Sequence, residues 1–141
     1  MVISSISYSL PSGVENLALA SGAGNINGTG NALDNVIIGN QGNNILNGKG
    51  GNDTLTGGGG ADTSVFQPGF GHSTVTDFGP GQDILQVDHL IFADVATLLA
   101  HTADDIHGNA VITADVQNSI TMQNVTTSVL HQQHSSDFHI V

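Results

Sequence analysis

Thr54, Leu55 and Thr56 alternate polar, apolar, polar, the mark of a short strand that turns one side chain inward. The same pattern returns at a fixed interval, with apolar residues at 37, 46 and 55. Glycines punctuate the intervals, opening at 30, 39, 48 and 57 and returning at 42, 51 and 60, and an Asn or Asp stands at 35, 44, 53 and 62. Residues 30–65 therefore divide into four nine-residue units in one frame: GNALDNVII, GNQGNNILN, GKGGNDTLT and GGGGADTSV. A fixed period of this kind predicts a repeat architecture. One such unit buries no core alone, so the units must stack. Turn plus short strand stacks into an all-β, right-handed parallel β-roll with two units per coil. Loops two units apart then share an edge, so 30–35 faces 48–53 and 39–44 faces 57–62.

Beyond the repeats the pattern predicts a C-terminal cap of strands and one or two short helices. Ser73 to Phe78 alternates as a strand, Gly79-Pro80-Gly81 forces a turn, and Asp83 to Val87 reads as the next strand. Ala93 to His101 has apolar side chains at helical spacing behind Asp94, a helix-capping residue. Asn109 to Thr113 and Ser119 to Met122 pair as a hairpin, and Thr127 to His131 makes a helical turn. The expected organisation is one continuous domain in three parts: N-terminal strands over 1–27, the roll over 28–66 and the cap over 67–141.

The glycines carry the chemistry of the loops. A backbone that turns sharply and aims its carbonyls at one spot needs φ angles that a Cβ obstructs. The Asp or Asn at the sixth position adds a side-chain oxygen to those carbonyls, forming the hard oxygen shell that Ca²⁺ prefers. Charge points the same way: 12 acidic residues stand against one basic residue, Lys49, for a formal charge of −11. A chain this acidic repels itself when compact, and bound Ca²⁺ would relieve the repulsion and couple metal to folding. Nucleic acid and anionic membranes are excluded as partners on the same ground.

The repeat resembles GGxGxDxUx of the RTX (repeats-in-toxin, hemolysin-type) calcium-binding proteins of Gram-negative bacteria. GKGGNDTLT departs from it only at its second glycine. GGGGADTSV carries Ser64 at the apolar position, Leu33 replaces a glycine, and Asn35 and Asn44 replace the acid. An amide is a weaker Ca²⁺ ligand than a carboxylate, so Asp53 and Asp62 are expected to bind most strongly, with Asp34 a candidate to assist Asn35. The resemblance implies one site from Gly30, Ala32 and Asn35 with Lys49, Gly51 and Asp53. It implies a second from Gly39, Gln41 and Asn44 with Gly58, Gly60 and Asp62. A third would join Gly48, Gly50 and Asp53 to Asp77 and Asp83.

The resemblance extends in both directions. GHSTVTDFGPGQDIL is similar to a segment that follows such repeats, and Tyr8 to Leu19 to one that precedes them in long RTX proteins. The ending Asp137-Phe138-His139-Ile140-Val141 resembles the uncleaved signal of type I secretion substrates, and it also reads as a final strand. The family thus implies a secreted or cell-surface module that folds on extracellular Ca²⁺, with the secretion machinery as partner. The alternative is a calcium-rigidified adhesive surface for extracellular polysaccharide.

Other chemistries find little support. Gly28-Thr29-Gly30 lacks a strand-to-helix context and Gly48-Lys49-Gly50 lacks the Ser or Thr of a phosphate loop. His131 and His134 have spacing for Zn²⁺ but no third ligand, and Asp104 and Asp105 are adjacent rather than facing. No catalytic motif is present, so no enzyme activity is expected within this chain. Cysteine is absent, no apolar run is long enough to cross a bilayer, and MVISSISYSL does not read as a cleaved signal.

Overall fold

The computed structural model describes residues 1–133 and 136–141. Its elements are β1 (Val2–Ser4), β2 (Tyr8–Ser9), β3 (Asn16–Leu19), β4 (Gly28–Thr29), β5 (Val36–Ile38), β6 (Ile45–Asn47), β7 (Thr54–Thr56) and β8 (Thr63–Phe66). The cap adds β9 (His72–Val75), β10 (Ile84–Val87), α1 (Val95–Ala100), β11 (Thr102–Asp104), β12 (Ala110–Thr113), β13 (Ser119–Met122), α2 (Thr127–Gln133) and β14 (Phe138–Ile140).

The chain alternates between two sheets. One runs β1-β3-β5-β7-β9-β13-β12-β11 and the other β14-β10-β8-β6-β4-β2. Every neighbouring pair from β1 to β10 is parallel, as in Val36↔Thr54, Ile37↔Leu55 and Ile45↔Thr63. Two nonapeptides therefore make one coil of a β-roll. Coil winding starts upstream of the four clear units: β1 pairs with β3, β2 with β4, and β4 with β6. Residues 21–29 form a half-coil hidden by its composition, because Gly28 occupies the inward position. A Cβ there would come within 2.9 Å of Ile37 Cγ2, so the neighbouring leucine and isoleucine side chains already fill the space.

Alternation along three-residue strands places one side chain per strand in the core. Leu17, Ile37 and Leu55 from one sheet meet Leu46 and Leu85 from the other, each 1% exposed or less. Burial of each stabilises the fold by roughly 1.5–3 kcal/mol. Ser64 takes the same inward position and is also buried. Phe66 and Phe70 pack edge to face, with ring centroids 5.2 Å apart, where the roll passes into the cap.

The cap is built on strand pairing. β13 joins β9 in parallel, and β12 and β11 follow antiparallel. β11 was not expected from the sequence; its TAD stretch has no periodicity and pairs only because β12 offers an edge. The strand expected over 73–78 stops at Val75, because Asp77 turns to accept the Gly57 and Gly58 N–H groups, both at 2.8 Å. Asp94 caps α1 by accepting Thr97 N–H at 2.7 Å. The last residues form β14, parallel to β10, with Phe138 buried. No helix among the described residues is long and apolar enough to cross a membrane.

Candidate metal centre

Because strands alternate between sheets, loops gather on two edges. Residues 30–35, 48–53 and 67–71 stack on one, and 39–44, 57–62 and 76–83 on the other. A hydrogen-bond ladder through the sixth position of each unit ties each edge together. Asn35 N–H donates to Asp53 Oδ1 at 2.9 Å and Asp53 N–H to Ser73 Oγ at 3.1 Å. Across the molecule, Asn44 N–H donates to Asp62 Oδ1 at 2.8 Å and Asp62 N–H to Asp83 Oδ1 at 2.9 Å.

Asp53 and Asp62 are 3% and 5% exposed. Burial pushes both carboxyls up from 3.8 to about 6, against the opposing backbone hydrogen bonds from Asn35 and Asn44. Neighbouring negative charge pushes further, from Asp34 on Asp53 and from Asp83 and Asp77 on Asp62. Among the described residues no basic side chain pairs with either carboxylate, and Lys49, the single Lys or Arg, is exposed. The ion pairs among the described residues are His89–Asp88 and His107–Asp105. A carboxylate taken out of water without a partner is costly, and a divalent cation is the partner these loops lack within the chain.

The glycines crowd oxygens together. A Cβ on Gly30 would strike Asn35 Oδ1 and the Gly48 carbonyl, and one on Gly39 would strike Asn44 Oδ1 and the Gly57 carbonyl. On Gly48 and Gly57 it would strike the Asp53 and Asp62 carboxylates. Lys49, Gly51, Gly58 and Gly60 have φ of 79°, 105°, 97° and 98°, the left-handed region that glycine adopts freely. Of the four units only the two that carry Asp have this turn geometry, since Asn31, Leu33, Asn40 and Gly42 of the earlier ones lack a positive φ, while Gly22 and Gly24 before the repeats and Gly69 and Gly71 after them share it. Among the described residues no group of three or more His, Cys, Asp or Glu side chains is placed to hold a metal. A cation here would draw on backbone carbonyls as well as carboxylates, and these all-oxygen loops suit a hard ion such as Ca²⁺.

Known proteins decide what these loops are. The RTX calcium-binding nonapeptide repeat matches residues 29–63, in four copies. This chain carries RTX calcium-binding repeats. They bind Ca²⁺, and the parallel coils are the β-roll of such repeats. No curated protein matches the chain.

The RTX loops bring together Gly30, Ala32 and Asn35 with Lys49, Gly51 and Asp53, and Gly39, Gln41 and Asn44 with Gly58, Gly60 and Asp62, each set on one edge. The structure does not bring Asp77 and Asp83 to Gly48, Gly50 and Asp53. Each strand carries the chain across the roll, so residues 67–71 return to the Asp53 edge and 76–83 arrive on the Asp62 edge. Gly50 instead faces the Gly69 carbonyl, 3.3 Å from where its Cβ would lie. Asp34 does not turn in beside Asn35; its carboxylate accepts Asn52 N–H at 2.8 Å on the exposed side of the loop. Lys49 N–H donates to Asn47 Oδ1 at 2.9 Å, while Gln41 Oε1 accepts from Ser21 Oγ and Gly22 N–H.

Sequence reasoning missed Asn31 and Asn40, which bridge adjacent loops and sit at the second position of their units, where the repeat has glycine. That shared departure was the available signal. Of the histidine pair, His131 is exposed on α2 and His134 lies outside the described residues. Asp104 accepts from Thr127 N–H and Oγ1, and Asp105 from His107 and Asn109 N–H, so both serve turns and caps.

Proposed function

We propose that this chain is a non-enzymatic folding module that closes around extracellular Ca²⁺ and so supports export and stability of a secreted protein. The observation that carries the reading is the pair of buried, desolvated carboxylates, Asp53 and Asp62, set among glycine carbonyls with no basic side chain to neutralise them. Ca²⁺ would be held on one edge by Gly30, Ala32, Asn35, Lys49, Gly51 and Asp53, and on the other by Gly39, Gln41, Asn44, Gly58, Gly60 and Asp62. A third position would use the loop of Asp62 with Asp83 rather than that of Asp53.

The ion supplies counter-charge and crosslinks neighbouring coils. Where Ca²⁺ is scarce the acidic loops repel and the coils that carry them stay loose enough for threading through a secretion channel; where it is abundant the roll closes. At a free concentration 100 times the dissociation constant, each site adds roughly 2.7 kcal/mol, so two sites rival the whole stability of a small domain. The C-terminal tail supports the order of events: as β14 it is paired with β10 and Phe138 is buried, so a signal there is readable only before folding.

The test is far-UV circular dichroism during a Ca²⁺ titration, with Mg²⁺ at equal ionic strength as control. A Ca²⁺-specific gain of β signal is expected. A spectrum already complete in chelator and unmoved by Ca²⁺ would refute the folding role and favour the adhesive reading, in which the outer sheet faces bind polysaccharide.

A further inference from the structure

The Asn-bearing loops face two ways. Asn35 Oδ1 accepts Asn31 N–H at 2.7 Å and crowds Gly30 together with the Gly48 carbonyl, on the side of the next loop. Its Nδ2 points the other way, donating to the Glu15 carbonyl at 3.3 Å and to Asn31 Oδ1 at 3.2 Å. Asn31 Nδ2 donates to the Pro11 and Val14 carbonyls at 2.8 and 2.7 Å. The opposite edge repeats the arrangement. Asn44 Oδ1 accepts Asn40 N–H at 2.8 Å, and its Nδ2 donates to the Ile26 carbonyl at 2.7 Å and to Asn40 Oδ1 at 3.1 Å. Asn40 Nδ2 donates to the Ala20 and Gly24 carbonyls at 3.0 and 3.1 Å. The partners fix the amide orientation, carbonyls on one side and an N–H on the other.

We infer that the Asn31–Asn35 and Asn40–Asn44 pairs are protein-built substitutes for a cation, clasping the first loop pair on each edge without metal. Carbonyls of facing loops repel unless something positive lies between them. In the later loops that must be an ion; here the partial positive charge of four amide NH₂ groups serves, at hydrogen-bond distance and with no net charge to desolvate. The N-terminal coils are therefore a calcium-independent template, and each Asn35 or Asn44 carbonyl oxygen remains directed at the calcium loop that follows. The clasp deepens the calcium reading above, and only this last clause rests on it.

Residue-resolved hydrogen exchange of the whole chain in EGTA and in Ca²⁺ tests the inference. The Asn31, Val36 and Asn40 amides, bonded to Asn35 Oδ1, the Glu15 carbonyl and Asn44 Oδ1, should exchange slowly in EGTA. Thr74 and Ile84, bonded to the Asp53 and Asp62 carbonyls, should exchange faster than these in EGTA and be slowed by Ca²⁺. Asn35→Asp and Asn44→Asp keep the shape and remove the NH₂. Each should speed exchange on its own edge in EGTA by about tenfold or more, and Ca²⁺ should reverse the effect. Rapid exchange at Asn31, Val36 and Asn40 in EGTA, or no acceleration in either variant, would overturn the clasp. Failure of the calcium reading shows elsewhere, as exchange at Thr74 and Ile84 that Ca²⁺ does not slow.

Discussion

Replacing Asp62 with Asn should change stability in opposite directions with and without calcium. The carboxyl is pushed from 3.8 to about 6, first by burial and then by Asp83 and Asp77. A folded value above the unfolded one means that the folded state holds its proton more tightly. The associated stability is present below pH 3.8 and is lost as pH rises through about 6, so at pH 7 in chelator the native roll carries an unrelieved charge. The shift corresponds to roughly 3 kcal/mol at most, and water reaching the loop edge reduces it to about 1–2 kcal/mol. Asp62→Asn removes the charge while its Oδ1 still accepts the Asn44 N–H. In EGTA at pH 7 the variant should be more stable by about 1–2 kcal/mol, and the fall in wild-type stability between pH 4 and 6 should flatten. In saturating Ca²⁺ the sign reverses, because a carboxylate ligand has been lost. Urea denaturation followed by circular dichroism, at pH 5 and 7 with EGTA or Ca²⁺, measures all four quantities. Equal destabilisation in EGTA and in Ca²⁺, or wild-type stability in EGTA that rises from pH 5 to 7, would refute the account of Asp62 as a desolvated, cation-seeking group.

Neighbouring glycines should respond very differently to a methyl group. Gly57→Ala drives a Cβ into the Asp62 carboxylate, whereas Gly59→Ala meets only Gln41 Cα at 3.7 Å; thermal melts in Ca²⁺ should show a loss of about 2 kcal/mol or more for the first and less than about 0.5 kcal/mol for the second. Phe138→Ala empties a buried position on β14 and should cost about 3 kcal/mol or more by urea denaturation while leaving the Ca²⁺ stoichiometry, measured by equilibrium dialysis, unchanged. Hydrogen bonds hold the carboxyls of Asp94, Asp104, Asp105 and Asp115 below 3.8. Their contribution is present above that value and lost as pH falls through the folded values, so acid should loosen the cap below about pH 4, visible as faster exchange at Thr97 and Thr127.

Much of this protein was legible in the sequence, because a repeat makes local and global order the same thing. Nine-residue spacing of Gly, Asn or Asp, and one apolar residue determined the strand length, the inward Ile37, Leu46 and Leu55, the stacking of loops two units apart and the preference for Ca²⁺. The Asp94-capped helix and the 109–122 hairpin were readable for a similar reason, since caps and period-two alternation act over a few residues. Tertiary structure decided what depends on which loop lies against which. It set Asp77 and Asp83 beside Asp62 rather than Asp53, because the number of sheet crossings, not distance along the chain, assigns a loop to an edge. It turned Asp34 outward to a backbone N–H, gave β11 a strand conformation that only a neighbouring edge could supply, and buried a Gly28 whose missing side chain is replaced by those of other coils. Asn35 and Asn44 show the boundary most clearly. Sequence identifies them as weakened calcium ligands, whereas the structure shows amides that donate to one neighbouring loop and direct an oxygen to the next, a role that exists only once three coils are stacked.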